Sequence, residues 1–147
     1  MGVIVTEEQL KDHAFDFLEG KELMALATSH KDEPWATTVP YVVTQEFEIV
    51  FYSRPGSKHT ENIEKNNRVT AVITEIPIHN NKERTVQIKG KARKVDGVEW
   101  NTYYPLYEAK FPDAKNYPDH IIYVLTPEEV WIIDEKAFGH KNRNRVL

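Results

Sequence analysis

Between Leu23 and Ser53 the chain lays down three extended apolar runs separated by breaks of only a few polar residues. Leu23-Met-Ala-Leu-Ala-Thr28 stops at His30-Lys-Asp-Glu33, Trp35 to Val43 stops at Thr44-Gln-Glu46, and Phe47 to Ser53 follows at once. Runs rich in aromatic and β-branched residues suit a pleated sheet. Breaks this short make consecutive strands antiparallel neighbours, because a parallel return needs a crossover of about a dozen residues or more. The rest of the chain must be compatible with an antiparallel sheet begun this way.

It continues the pattern. Val69 to Ile76 reads as a strand, a polar loop at Asn80-Asn-Lys82 follows, and Thr85 to Val95 reads as another. Ile121 to Thr126 and Val130 to Ile133 are predicted as two further strands set around Pro127. Helices are fewer. Thr6-Glu-Glu-Gln9 has the form of a capping box, with Leu10, Ala14, Phe17 and Leu18 on one helical face and Gly20 placed to end the helix. A short helix is expected from about Lys58 to Lys65. Asp96-Gly-Val-Glu99 repeats the capping pattern ahead of Val98, Tyr103, Leu106, Tyr107 and Phe111, predicting a second amphipathic helix of about four turns. The tail from Phe138 to Leu147 reads as basic and irregular.

Several strands are apolar on both faces. Val50 and Tyr52 point one way while Phe47, Ile49 and Phe51 point the other, and both faces of Val69 to Ile76 carry Val, Ala or Ile. One face fills a barrel; the other calls for cover by a helix, a ligand or a second subunit, of which a homodimer is the simplest.

Composition narrows the function classes. A chain of 147 residues, 40% hydrophobic and 29% charged, is the size of one globular domain able to bury a core, so residues 1–147 read as a single domain. The formal net charge of −4 provides no general field to attract nucleic acid or an anionic membrane. With no cysteine, a disulfide framework, a thiolate zinc site and a cysteine nucleophile are all excluded. Glu7, Glu8, Lys11, Asp12 and Asp16 interrupt any apolar run at the start, so neither a signal peptide nor a membrane span is expected, and a cytoplasmic location fits.

Phe51-Tyr-Ser-Arg-Pro-Gly-Ser-Lys-His-Thr-Glu-Asn62 is where chemistry is most legible. An apolar strand runs into a Pro-Gly turn and then into a helix start, and outward-pointing N–H groups at such a place, with fixed cations beside them, suit an arriving phosphate. Ser57 can donate through its hydroxyl and Lys58 supplies a compact charge. An ordinary strand-turn-helix connection would carry the same residues, so the surroundings have to decide.

The order of these parts resembles the FMN-binding split-barrel superfamily, whose best-known members are the pyridoxamine 5′-phosphate oxidases. The matching residues are Leu26-Ala-Thr28, Pro34-Trp-Ala-Thr-Thr38, Phe51-Tyr-Ser53 followed by Ser57-Lys-His59, and Val86-Gln-Ile-Lys-Gly-Lys-Ala92. The chain is similar to short bacterial members also in Lys110-Phe-Pro112 and Phe138-Gly-His-Lys141. The resemblance implies a mainly β fold, an antiparallel split barrel of six or seven strands with flanking helices, and FMN held without covalent attachment between two subunits. Carried over by position, Ser57 and Lys58, with Arg54 and His59, would hold the phosphate. Thr37, Thr38, Tyr52 and Ser53 would line the ring and ribityl chain, and Thr85 and Gln87 would reach the ring or phosphate from the facing side.

Two departures matter. The oxidase Ser-Arg-Lys run has an apolar residue four positions after its Lys, whereas Lys58 is followed by His59 and reaches Ile63 only after five. The oxidases' C-terminal Arg-Leu-Ser-Pro-like segment has no counterpart in Arg143-Asn-Arg-Val-Leu147, so pyridoxamine phosphate oxidation is not implied. The expected function is an FMN-dependent oxidoreductase acting on a small substrate with no catalytic acid or base identified. The alternatives are a flavin, haem or deazaflavin carrier and a cofactor-free interaction subunit. Other motifs point elsewhere only weakly. Lys82, Arg84, Lys89, Lys91, Arg93 and Lys94 suit a solvated sheet face better than a nucleic-acid surface. The six histidines lack the spacing of a metal site, and no metal is expected.

Overall fold

The computed structural model describes residues 5–75, 82–139 and 142–147. Helix α1 (Glu7–Glu19) begins with the predicted capping box, in which Thr6 accepts from the Gln9 amide and the Gln9 side chain accepts from the Thr6 amide. Strands β1 (Leu23–His30) and β2 (Glu33–Val43) form a hairpin whose two-residue turn, Lys31-Asp32, has positive φ at both positions, as a tight turn between twisted strands requires. Strand β3 (Ile49–Ser53) is shorter than predicted, because Phe47 sits at φ +63° in the preceding turn. Helix α2 (Lys58–Lys65) matches its predicted bounds. Strands β4 (Arg68–Glu75) and β5 (Arg84–Lys94) follow; Ile76 and the expected loop at Asn80 and Asn81 lie outside the described residues.

A 3-10 turn (Gly97–Glu99) leads into α3 (Trp100–Lys110), and a second 3-10 helix (Pro112–Asn116) leads to β6 (Ile121–Asp134), α4 (Glu135–Phe138) and β7 (Arg143–Arg145). Among the described residues seven strands run in the order β3-β2-β1-β4-β5-β6-β7, and β3 also pairs with β6. The fold is therefore a closed six-stranded antiparallel barrel with β7 as an added edge strand, mostly β with flanking helices. Leu26, Tyr41, Ile49, Phe51, Val86, Ile88, Tyr123 and Leu125 fill the interior, and α1 packs Leu10, Ala14, Phe17 and Leu18 against it.

Four expectations need correction. Pro127 does not separate two strands. It pairs with Gly90 beside the point where the β5–β6 register shifts, and Glu128 is the extra residue of the bulge that lets a residue unable to donate sit in the ladder. Gly90 makes this possible, since a Cβ there would come within 2.1 Å of the Thr126 carbonyl oxygen. Asp96 makes no side-chain cap, and Glu99 instead pairs with Arg93 through both carboxylate oxygens. Val98 and Leu106, expected on the buried helical face, are exposed. The tail is not irregular throughout: β7 pairs with Trp131–Ile133, and Val146 is buried.

The outer face of β3 and β6 needs no second subunit to cover it. Val50, Tyr52, Ile122 and Val124 form a second cluster with Tyr107 and Ala114, supplied by α3 and the 3-10 helix after it. Among the described residues no such helix covers the outer face over β1 and β4, where Ala25, Thr70 and Val72 remain at least partly exposed.

Candidate functional site

The predicted phosphate loop forms one side of a cleft of about 470 Å³. The chain leaves β3 at Ser53, turns at Arg54-Pro-Gly-Ser57 with Gly56 at φ +89°, and closes the turn through a Ser57 amide donating to the Arg54 carbonyl. Ser57 is the N-cap of α2, yet its side chain makes no capping bond to the backbone. Its hydroxyl shares a 2.8 Å hydrogen bond with Thr60 Oγ1 instead. The N-terminal amides of a helix have no intrahelical acceptor, and here the usual side-chain oxygen is turned away from them.

The helix is pinned by its inward side. Asn62 Nδ2 donates to Thr28 Oγ1 at 3.0 Å and Asn66 Nδ2 to Ser29 Oγ at 3.2 Å, tying α2 to β1. His59 is nearly buried, with Nε2 2.8 Å from Ser53 Oγ. Burial holds the imidazole below its ordinary pKa, so His59 is a neutral hydrogen-bonding group.

Tyr52, Ser53, Arg54, Ser57 and His59 all line this cleft, so five predicted site residues are brought together. The facing wall, which the sequence did not reveal, is Tyr117, Asp119 and His120. His120 Nδ1 lies 2.8 Å from Asp119 Oδ1, and this hydrogen bond is the main reason the Asp119 carboxyl is held below its usual range. Tyr52 donates its hydroxyl to the Tyr117 carbonyl at 2.8 Å, fixing the loop ahead of β6 against β3. Burial first, and the Asp119 and Glu108 carboxylates second, push the Tyr52 phenol up. Lys58 is exposed and stands outside the residues lining the cleft.

The remaining candidates lie elsewhere. Thr37 pairs with Leu26 and falls on the inward row of β2, half-buried; Thr38 pairs with Ala25 on the outward row and is exposed. Thr85 is buried, 2.6 Å from Thr74 Oγ1 and donating to Glu83 at 2.9 Å. Gln87 opens into a second hollow, a groove of about 410 Å³ on the outer face of the barrel. Its floor is Ala25, Ala27, Ala36 and Val72. Its wall is Trp131, with the Arg143 guanidinium 4.0 Å from the ring centroid. Gln87 pairs with Trp131 and Ser53 with Ile121, ten positions apart along β6. That is a strand contour of about 33 Å, so the two sets of residues occupy different regions of one protomer.

Comparison with known proteins decides the family. A profile described as pyridoxamine 5′-phosphate oxidase matches residues 10–134, which takes in every strand of the closed barrel and the turn from Ser53 to Ser57. The chain belongs to this family. No curated protein matches it. Among solved structures, the Agrobacterium tumefaciens protein Atu2129 superposes with a TM-score of 0.72 at 24% identity, covering 89% of this chain and 58% of the other. A heme binding protein from Mycobacterium smegmatis gives 0.78 at 18% identity, over 97% of this chain and 58% of the other. A FAD-binding protein from Mesorhizobium loti gives 0.69 at 14% identity, over 88% and 94%. The chain thus spans little more than half the length of the first two, and at these identities the likeness is one of fold. Among the described residues no helix is long and apolar enough to cross a membrane.

Proposed function

We propose that the chain is a cytoplasmic flavoprotein, a homodimer that binds FMN and acts as an oxidoreductase on a small substrate. The observation that carries this reading is the cleft at the start of α2. A family member's phosphate loop there has an uncapped helix start, the Arg54 guanidinium, and the hydroxyls of Ser53 and Ser57. These donors fit a phosphate monoester. Arg54 and Ser57 hold it from within the cleft, Lys58 adds charge from the rim, and His59 donates or accepts without adding charge. Bound flavin would supply the redox chemistry; the protein positions it and excludes water.

The same geometry supports a dimer. Gln87 and Thr38 lie toward the open groove, far along β6 from Arg54 and Ser57, and a single FMN meets both sets only if the groove of one protomer faces the cleft of another. The small residues on the groove floor allow the close approach this needs. Titration of the purified protein with FMN and with riboflavin, followed by absorption and flavin fluorescence, tests the reading. Tighter FMN binding is expected, and equal affinities would remove the phosphate site from this cleft.

A second reading has its own observation. His120 turns Nδ1 to Asp119, which leaves Nε2 as the free nitrogen of an oriented imidazole, the arrangement of a histidine that ligates iron. A haem carrier would show a Soret band on reconstitution, lost in His120→Ala.

A further inference from the structure

A third hollow, a cavity of about 270 Å³, opens beside the cleft and shares Tyr52, Tyr117 and His120 with it. The turn that ends α3 builds it. Phe111 leaves the helix at φ −125° and ψ 80°, the 3-10 helix buries Ala114, and the Tyr52 hydroxyl anchors the Tyr117 carbonyl. Tyr107 packs on Tyr52 with ring centroids 5.4 Å apart and on Phe111 at 4.9 Å, while the His120 ring lies 5.2 Å from both Tyr52 and Tyr117. The rings are therefore held in place by protein contacts alone.

The charge around them is one-sided. Among the described residues Asp113 is the one carboxylate lining the cavity and no lysine or arginine lines it, while Asp119 stands beside His120 at the junction with the cleft. Lys110 is committed elsewhere: its ammonium donates to the carbonyls of Lys21 and Tyr41. It also sits 5.6 Å from the Phe111 centroid, so this ring already attracts one cation. Burial pushes the Tyr107 phenol up to about 12, which keeps the ring neutral at physiological pH. Several aromatic faces and a carboxylate around a hollow of this size are a poor fit to an anion. They are more than a neutral apolar molecule requires.

We propose that this cavity binds a small organic cation of the alkylated ammonium class, with Tyr52, Tyr107, Phe111 and Tyr117 around the cationic head and Asp113 supplying the opposite charge. The site needs neither flavin nor a second copy of the chain. A ligand with an anionic group could extend from it toward Arg54 and Ser57 through the shared residues.

Choline and its neutral carbon isostere, in which a tert-butyl group replaces the trimethylammonium, separate charge recognition from shape. Calorimetric titration of the full chain should give choline about tenfold tighter binding than the isostere. Asp113→Asn, an exposed change that leaves the packing intact, should remove most of that preference while leaving the isostere unaffected. Phe111→Leu keeps apolar bulk but loses a ring face, and should also lower choline affinity, with circular dichroism confirming the fold. Equal affinity for the two compounds, no detectable choline binding, or unchanged choline binding in both variants would overturn the proposal. Repeating the titration with FMN added keeps this result separate from the flavin reading.

Discussion

Ser53 Oγ and His59 Nε2 lie 2.8 Å apart, joining the last residue of β3 to the first turn of α2 with both side chains nearly buried. The contact fixes where the helix begins relative to the strand, and so the shape of the cleft between them. It also makes that shape sensitive to protonation.

Because burial lowers the His59 pKa in the folded state, the unfolded chain takes up its proton first as pH falls. Stability from this group is fully present above the unfolded value of about 6.5 and is lost progressively below it. His59→Gln should flatten the pH dependence of unfolding below about pH 6.5. A parent and variant with parallel profiles over that range, measured by urea denaturation, would remove His59 from the explanation.

At Asp134, desolvation alone would raise the pKa, but hydrogen bonds from His13 and the Ala137 amide, with the nearby Arg84 charge, bring it below its usual value. Its contribution is present above the unfolded carboxyl pKa and is lost as acid protonates it in the folded state. Asp134→Asn should cost about 1 to 3 kcal/mol at neutral pH and much less near pH 3. Denaturation midpoints at the two pH values check this.

Arg54→Ala should weaken FMN by about 1.5 to 3 kcal/mol, roughly ten- to a hundredfold, and leave riboflavin nearly unchanged. Lys58→Ala should have the smaller effect, because that side chain stands outside the cleft. The reverse order, measured by fluorescence quenching at fixed salt, would shift the phosphate toward the outer side of α2.

Ala25→Arg places a long cation on the floor of the outer groove, where a lone protomer can turn it into solvent. The variant should keep its fold and appear as a monomer by light scattering, with FMN affinity reduced. A dimer of undiminished affinity would locate the subunit contact elsewhere.

Gly90→Ala should destabilise the barrel by about 2 to 3 kcal/mol. The added carbon meets backbone oxygen of Thr126, which cannot move without breaking the bulge. Thermal unfolding within a degree of the parent would show that the bulge can relax.

Local signals were readable and long-range ones were not. Thr6 and Gln9 announced α1 because a capping box acts within one turn, and α2 begins and ends where its short segment after Pro-Gly predicted. Pro127 misled because the bulge that admits it is set by Gly90, far away in the chain. The tail looked irregular because Arg143 and Arg145 carry no apolar alternation; their partner is the ring of Trp131, at 4.0 and 5.6 Å. In the site, Tyr52 to His59 were legible as one strand-turn-helix, whereas Tyr117 and His120 reach the same cleft only through the fold. Thr85 and Gln87 share one face by alternation, yet Thr74 and Glu83 occupy the first and leave the second open.

The pairing of Ser53 with Ile121 joins residues sixty-eight positions apart. During synthesis, β3 therefore waits for its second neighbour until most of the protein has been made, and β5 waits for the same strand. Any nascent or truncated chain ending before Ile121 presents two unsatisfied sheet edges at once. The barrel can close only once β6 has emerged, and fragments lacking β6 should be captured by chaperones or by one another.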